Sequence, residues 1–221
     1  MSSTEVLPRP EAPLLEPPDQ MPLVIVGLGK MGARIGAKLV EEGHPIRGWD
    51  ISPDAREKAR AAGMHVPDTL EEAVLGGPEA DANDRVVWQM LKAGEVTNTS
   101  LLNLAEIVGP RGATIIDAAN SHPLDTDMWA EEFQRYEIPF LGIGVSGGVI
   151  ARHQGYPLMV GGDEDAYQRI RPILDSAARP GGGHDYFGPG GFGHWVKAVH
   201  NAIEYPYMQG LGEGAGVLEK L

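Results

Sequence analysis

Hydrophobic residues along the chain form short continuous runs that alternate with helix-spaced patterns. Pro22 to Val26 is a continuous apolar run, typical of a strand buried on both faces. Apolar residues between Met31 and Val40 recur on one side of a predicted helix, which Gly43 ends. Ile46 to Asp50 then predicts a second strand, which ends in an acidic residue.

The same alternation continues to residue 178. Further helices are predicted at 53–62, 70–75, 101–108, 128–136 and 163–178, and further strands at 85–91, 113–117, 138–141 and 158–160. Ser52 is expected to cap the first of these helices, with Pro53 in its first turn. Strands that alternate with helices predict an α/β fold with a doubly wound, mostly parallel Rossmann sheet.

Two stretches interrupt or flank this alternation. Residues 1–21 contain five prolines and few bulky apolar residues, which favours a disordered leader over a secretory signal. Residues 179–193 are rich in Gly and Pro, so we expect a hinge there. The chain therefore divides into a tail at 1–21, a nucleotide-binding domain at 22–190 and a final helix at 191–221.

The turn between the first strand and the first helix has the glycine spacing of a dinucleotide-binding site. The first glycine permits a tight turn, the second lets a pyrophosphate approach the backbone, and the third lets helix and strand pack closely. Unpaired N–H groups of the helix N-terminus would bind the phosphates. The strand–turn–helix–strand context favours this interpretation over a glycine-rich turn without a ligand. The predicted cofactor-binding residues are Gly27, Leu28, Gly29, Lys30, Met31 and Gly32.

Asp50 follows about 20 residues later, at the end of the second strand. A carboxylate there accepts hydrogen bonds from two ribose hydroxyls and repels a 2′-phosphate. No Arg follows Asp50 directly, so the sequence favours NAD over NADP. Arg47, Arg56 and Lys58 lie close enough in sequence to keep NADP as the alternative.

Polar residues follow two of the later strands. Lys92 follows the strand at 85–91, and Asn120 and Ser121 follow the strand at 113–117. Ligands of parallel sheets bind at the carboxyl ends of the strands, so these residues are candidates for a site. Residues 142–148 predict a loop in which the backbone N–H groups in and around Ser146–Gly148 can approach a ligand closely, with a hydroxyl added by Ser146; a plain turn is the alternative.

The stretch from Gly193 to Tyr205 carries the most chemistry. As a helix, it places five polar residues on one face, at i, i+3, i+4, i+7 and i+8: Lys197, His200, Asn201, Glu204 and Tyr205. The other positions are mostly apolar, which is typical of a buried helix, and buried Lys and Glu are costly unless they pair or line a wet pocket. The pattern predicts a cleft wall with a base and an acid; an amphipathic helix whose polar stripe faces water is the alternative.

The composition narrows the choice of partners. The 221 residues carry a formal net charge of −13, which argues against nucleic acids and anionic membrane surfaces. The chain has no cysteine, which excludes disulfides, thiolate metal sites and a cysteine nucleophile and fits a reducing, cytoplasmic compartment. No apolar run of the sequence is long enough to span a bilayer.

Six motifs occur in a fixed order between residues 27 and 209. They are GLGKMG at 27–32, LKAG at 91–94, DAANS at 117–121, VSGG at 145–148, LMVGG at 158–162 and HWVKAVHNAIEYPYMQ at 194–209. Together they resemble 6-phosphogluconate dehydrogenase, within the β-hydroxyacid dehydrogenases. The last motif is the most specific: related hydroxyacid dehydrogenases share its Lys and Asn, but His200, Glu204 and Tyr205 are similar to the phosphogluconate branch.

The resemblance implies oxidative decarboxylation of 6-phosphogluconate, a phosphorylated sugar acid, to ribulose 5-phosphate in the pentose phosphate pathway, with reduction of NAD(P). It implies that Lys197 is the general base that takes the C3 hydroxyl proton and that Glu204 is the general acid that protonates C1 of the enediol left after the loss of carbon dioxide; no metal is implied. The implied substrate-binding residues are Asn120, Ser146, Gly147, Gly148, His200, Asn201 and Tyr205. The implied cofactor-binding residues are those of 27–32 with Asp50, Lys92 and Asn120.

The resemblance also implies that 191–221 is the first helix of an all-helical domain, so we expect a truncated copy or an incomplete chain. The family's dimer interface lies mostly in that domain, which leaves homo-oligomerisation open. Pro206 predicts a kink, and the glycines at 210–216 predict poor helix and an exposed apolar surface. Two alternatives to the enzyme stay open: a non-catalytic NAD(P)-binding module, and a dehydrogenase of another small hydroxy acid.

Overall fold

The computed structural model describes residues 22–76, 85–109, 113–148 and 150–221. Its strands are β1 Leu23–Val26, β2 Ile46–Trp49, β3 Val86–Gln89, β4 Thr114–Asp117, β5 Phe140–Val145, β6 Leu158–Gly162 and β7 His184–Gly188. They form one sheet in the order β2-β1-β3-β4-β5-β6-β7. All neighbouring strands are parallel except β5 and β6. The predicted α/β class and mostly parallel Rossmann sheet are confirmed.

Local chemistry sets several helix ends. The described helices are α1 Gly32–Glu41, α2 Pro53–Ala61, α3 Leu70–Leu75, α4 Glu95–Val108, α5 Pro123–Arg135, α6 Ala151–Gln154, α7 Glu164–Ala177 and α8 Phe192–Leu218. The Ser52 hydroxyl accepts a hydrogen bond from the Ala55 N–H and caps α2, as predicted. Thr69 and Glu72 form a reciprocal capping box at the start of α3.

Helices cover both faces of the sheet, so its central strands are buried throughout. Every residue of β1, β3 and β4 is buried. Ile25 and Trp88 belong to one hydrophobic core, and Val24 and Val87 belong to the other. Neighbouring residues of one strand thus serve opposite cores, which explains why these strands are continuous apolar runs in the sequence.

Two predictions about irregular segments are wrong. Residues 179–193, predicted as a hinge, contain β7, which pairs with β6 and belongs to the sheet. This strand lies at the edge, its residues alternate between half-buried and exposed, and it therefore lacks the apolar run of a central strand. Part of the predicted loop at 142–148 is also strand, because β5 continues through Val145. The predicted leader at 1–21 lies outside the described residues.

Helix α8 is anchored at its start and exposed along the rest of its length. It continues through Pro206 and the later glycines, although both residue types are unfavourable inside a helix. Its first turns pack on β5 and β6. Ile203 is 69% exposed and Leu211 is 58% exposed. The prediction of a helix buried on most sides is therefore wrong, whereas the predicted exposed apolar surface is confirmed. In the part of the chain that the structure describes, no helix combines the length and apolar character that a membrane span requires.

Candidate functional site

The turn between β1 and α1 has the geometry of an anion cradle. Gly27 has a φ of +93°, in the region that favours glycine. A Cβ on Gly32 would overlap the Gly27 carbonyl oxygen, so the third glycine lets α1 start against the turn. A Cβ on Gly29 would have no described atom within 4 Å other than those of its chain neighbours, which leaves open space for a ligand. Among the described residues no side chain caps α1, and because the N–H groups of Ala33 and Arg34 donate to the carbonyls of Gly29 and Met31, those of Gly29 to Gly32 are the ones that can bind an anion.

Asp50 is fixed beside this turn by two backbone groups. Its Oδ2 accepts a hydrogen bond from the Leu28 N–H at 2.7 Å, and its Oδ1 accepts one from the Ser52 N–H at 2.8 Å. Each carboxylate oxygen keeps a further lone pair for a ligand hydroxyl. A carboxylate next to a phosphate cradle fits the ribose and pyrophosphate of a dinucleotide. Lys30 and Lys92, also predicted to bind the cofactor, are exposed.

A cleft of about 410 Å³ opens where the segments after β3 and β4 meet the first turns of α8. Its lining residues are Ala93, Gly94, Asn120, Ser121, His122, Pro123, Asp125, His194, Lys197, Ala198 and Asn201. The structure thus brings together four of the candidate site residues, Lys197, Asn120, Ser121 and Asn201. They come from two segments that are far apart in the sequence.

Lys197 is the best-placed base in this cleft. It is 9% exposed, and its Nζ donates a hydrogen bond to Ser146 Oγ at 2.9 Å. Burial lowers the pKa of Lys197, and the negative charge of Glu204 opposes that shift. A lysine that loses its proton more readily than usual, beside a cleft, is suited to general base catalysis.

Glycines on β5 make room for this arrangement. A Cβ on Gly144 would lie 2.5 Å from Lys197 Cβ, and a Cβ on Gly142 would lie 3.1 Å from His194 Nδ1. The two glycines are on the same face of the strand, because side chains alternate along it. Their lack of side chains therefore serves the close approach of α8, whereas Gly147 and Gly148, the glycines predicted to let a ligand approach, follow the end of β5.

The other predicted residues lie on the next turns of α8 or on the loop after β5. His200 Nδ1 and Glu204 Oε2 are 3.6 Å apart, and both side chains are 41% exposed. Tyr205 is 63% exposed. Among the described residues that line the cleft, His200, Glu204 and Tyr205 do not occur. Gly147 and Gly148 follow Ser146 directly, with φ angles of +95° and +54°.

Sequence reasoning missed three buried polar residues at or near the cleft, Asp117, Thr126 and His194, of which His194 lines it. Asp117 accepts hydrogen bonds from Ser121 Oγ at 2.6 Å and from the Ala119 N–H at 3.0 Å. His194 contacts the Ala119 carbonyl and the Thr126 hydroxyl. Asp117 begins the DAANS motif, so a polar residue at the end of a buried strand was the available signal. In the described part of the chain, no group of three or more His, Asp or Glu side chains could hold a metal ion.

Comparison with known sequences gives a family match over most of the chain. Residues 23–188 match the family described as the NAD binding domain of 6-phosphogluconate dehydrogenase. An NAD(+)-dependent, decarboxylating 6-phosphogluconate dehydrogenase of Haloferax volcanii is 33% identical over 198 residues, which cover 90% of this chain and 64% of that protein.

Two solved structures share the fold. 3-Hydroxyisobutyrate dehydrogenase of Mycobacterium tuberculosis, described with L-serine, is 31% identical with a TM-score of 0.78, over 91% of this chain and 66% of that one. The 6-phosphogluconate dehydrogenase of Plasmodium falciparum is 26% identical with a TM-score of 0.80, over 90% of this chain and 43% of that one. The chain spans less than two thirds of the length of these three proteins. Because the family match includes the glycine turn, Asp50 and all seven described strands, this chain belongs to the family of 6-phosphogluconate dehydrogenase NAD-binding domains.

Proposed function

We propose that this chain carries the coenzyme site and the general base for the oxidative decarboxylation of 6-phosphogluconate to ribulose 5-phosphate. The observation that carries the proposal is the buried Lys197, which is bonded to Ser146 and shares a cleft with Asn120 and Asn201. The family match and the printed name of the Haloferax relative support it. We assign the NAD-binding domain to 22–190 and the helix that holds the base to 191–221.

NAD is the proposed coenzyme, and it would accept a hydride from the substrate. The turn at Gly27–Gly32 would hold the pyrophosphate through the N–H groups of Gly29 to Gly32, since those of Gly27 and Leu28 donate to Trp49 and Asp50. The Asp50 carboxylate would accept hydrogen bonds from the ribose hydroxyls. The negative charge of Asp50 disfavours a 2′-phosphate. Arg47 and Arg56, which could have offset that charge, donate instead to the carbonyls of Glu72 and Asp68. Lys92 and Asn120 are proposed to complete the cofactor site.

Lys197 would act twice in the reaction. In its neutral form it takes the proton of the C3 hydroxyl while C3 is oxidised to a ketone. Charged after that step, it donates a hydrogen bond to the ketone oxygen, which favours cleavage of the C1–C2 bond and the loss of carbon dioxide. A lysine that titrates below its usual range serves both roles at neutral pH.

The enediol left by decarboxylation needs a proton on its terminal carbon. We propose Glu204 as the acid, because it lies two turns after Lys197 on the same face of α8 and its charge acts on the Lys197 amine. Glu204 now pairs with His200 and is half-exposed, so the proposal requires it to turn towards the substrate. A proton transfer of this kind is typically worth about 10²–10⁴-fold in rate.

The remaining predicted residues are proposed to hold the sugar acid. Asn120 and Asn201 line the cleft with Lys197, and the hydroxyl of Ser146 accepts a hydrogen bond from the Lys197 amine, so these three would bind the substrate's hydroxyl groups. The N–H groups of Gly147 and Gly148 would bind its carboxylate. His200 and Tyr205, which are further along α8, would bind the distal part, with Tyr205 at the phosphate.

A dehydrogenase of another small hydroxy acid is the second candidate. The 31% identity to a 3-hydroxyisobutyrate dehydrogenase favours it, as do the positions of Glu204 and Tyr205 outside the cleft. A non-catalytic NAD-binding module is the third. For this module, the cradle and Asp50 would bind NADH without any turnover.

One set of assays separates the three. The purified chain is mixed with NAD or NADP and with 6-phosphogluconate or 3-hydroxyisobutyrate, and formation of reduced coenzyme is followed by absorbance. We expect 6-phosphogluconate with NAD to react fastest and Lys197→Met to abolish the reaction, whereas Lys220→Met, at an exposed lysine of the same charge, leaves it unchanged. Faster turnover of 3-hydroxyisobutyrate supports the second candidate, and NADH binding without turnover supports the third.

A further inference from the structure

His194 is a buried histidine that lies one helical turn before Lys197. It is 2% exposed. Its Nε2 lies 2.9 Å from the Ala119 carbonyl oxygen, in the turn after β4, and its Nδ1 lies 2.8 Å from Thr126 Oγ1, on α5. One imidazole on α8 therefore joins three segments of the chain, and both of its ring nitrogens are engaged within the protein.

The surroundings of His194 fix where its proton lies. Burial lowers its pKa, while the Asp117 carboxylate and the carbonyls of Ala119 and Ile143 act in the opposite direction. The ring is therefore neutral and has one N–H group. Because a carbonyl oxygen only accepts hydrogen bonds, that proton lies on Nε2 and is donated to Ala119. Nδ1 then accepts a hydrogen bond from the Thr126 hydroxyl at 2.8 Å. The alternative acceptor for that hydroxyl, the His122 carbonyl, is farther away, at 3.4 Å.

The turn after β4 is held from two sides. Asp117 accepts a hydrogen bond from the Ala119 N–H, and His194 donates one to the Ala119 carbonyl. Asn120 follows directly and lines the same cleft as Lys197. The backbone that carries Asn120 is thus bonded to the helix that carries Lys197, through a side chain one turn away.

Packing leaves little freedom for the histidine. A Cβ on Gly142 would lie 2.5 Å from Thr126 Cγ2 and 3.1 Å from His194 Nδ1, so the absence of a side chain on β5 is what lets this pair fit. Interiors packed to this density transmit small displacements to their neighbours. A change in the ring of His194 is therefore expected to reach the turn at Asn120.

We propose that His194, as the neutral Nε2–H tautomer, is a positioning residue that fixes Asn120 relative to Lys197. It acts through the Ala119 carbonyl and does not itself take part in proton transfer to the substrate. The inference rests on the proposed function in one respect: it treats Asn120 and Lys197 as parts of one substrate site.

The first test does not depend on turnover. Nitrogen NMR of the histidine rings in the 221-residue chain reports the tautomer, and the side-chain amide of Asn120 reports the position of the turn. We expect an Nε2–H signature for His194, and an Asn120 signal that moves in His194→Phe. An Nδ1–H tautomer, or an Asn120 signal that stays at its wild-type position in His194→Phe, overturns the inference.

The second test measures kcat and KM for 6-phosphogluconate in three variants. His194→Phe keeps a ring but loses both hydrogen bonds, and kcat/KM should fall about tenfold or more, as for the loss of a buried hydrogen bond. His194→Gln keeps an N–H near the Nε2 position, so it should recover to within about threefold of wild type. In both variants, NADH affinity should stay within about twofold of wild type, because the coenzyme turn lies at β1.

Trp195→Phe is the matched control. Trp195 is the next residue on α8 and donates to Asp127 on α5 at 3.0 Å, so it joins the same two helices without touching the turn after β4. We expect wild-type kcat/KM for this variant. Equal losses in all three variants, or wild-type kcat/KM in His194→Phe, overturn the positioning role. If the wild-type chain neither binds nor converts 6-phosphogluconate, the proposed function fails, and the NMR results alone decide the role of His194.

Discussion

Replacing Gly144 with alanine should force α8, and Lys197 with it, away from β5. The new Cβ would lie 2.5 Å from Lys197 Cβ and 2.9 Å from the Gly193 carbonyl oxygen. Ordinary contact begins at 3.4 Å, so the helix must move by about 0.9 Å, the shortfall from 3.4 to 2.5 Å. Both obstacles are at or next to the backbone and cannot rotate away. Overpacking of this kind typically costs about 1–3 kcal/mol of stability.

The matched control is the same substitution at Gly210, which should have the opposite effect. Apart from its chain neighbours and the backbone of its own helix turns, no described atom would lie within 4 Å of a Cβ there, and the residue is in the exposed part of α8. Alanine in such a position is better than glycine by about 0.5–1 kcal/mol, because glycine loses more backbone freedom on folding. Gly144→Ala and Gly210→Ala therefore differ in the sign of the effect and not only in its size.

Urea unfolding followed by tryptophan fluorescence measures the stability of both variants, and far-ultraviolet circular dichroism measures their helix content. NADH binding should be retained in both, since the glycine turn lies at β1. With 6-phosphogluconate and NAD, Gly144→Ala should lose about 10²-fold in turnover, the typical effect of a misplacement near 1 Å. The reasoning is refuted if Gly144→Ala keeps the wild-type urea midpoint, or if both variants shift it in the same direction.

Three further predictions concern single groups. In the wild-type protein the free energy of unfolding should rise with pH in the alkaline range, and Lys197→Met should lack this rise. The folded pKa of Lys197 is lowered, so between its folded and unfolded pKa values the unfolded chain binds more protons and stability increases with pH; urea midpoints of both proteins over that range check this. Asp50→Asn should weaken NADH binding about tenfold and reduce the preference for NADH over NADPH. Glu57→Gln, which removes an exposed acid on α2, should change neither affinity; titration calorimetry measures the binding of both coenzymes. Thr69→Ala removes the acceptor of the Glu72 N–H and should cost about 1 kcal/mol in urea unfolding, and an unchanged midpoint would contradict the capping role.

The first half of the fold was predictable because its signals are local. Ser52 and Thr69 each cap a helix through an N–H three residues away. The glycine turn and Asp50 are separated by one strand–helix–strand unit, and their relation follows from that unit alone. The apolar runs of β1 and β3 followed from burial on both faces.

The sequence could not show contacts that depend on distant segments. His194 meets Thr126 and Ala119 across 68 and 75 residues, and Lys197 meets Ser146 across 51. The antiparallel direction of β6 depends on how the chain returns after β5, and no residue type signals it. The packing role of Gly142 and Gly144 on β5 could not be predicted either, because their neighbours on α8 are adjacent only in the folded chain.

The anchoring of α8 at one end makes the helix a lever. It has 27 residues. At 1.5 Å per residue, the part after Ala198 extends about 30 Å from the sheet, so a tilt of about 5° at the anchor would move the far end by roughly 3 Å. The anchor is the glycine-lined contact of β5 with Gly193, His194 and Lys197. Gly142 and Gly144, which set the position of Lys197, therefore also set the direction in which the exposed apolar part of α8 extends. A small displacement of the helix at these glycines becomes a larger displacement at its far end.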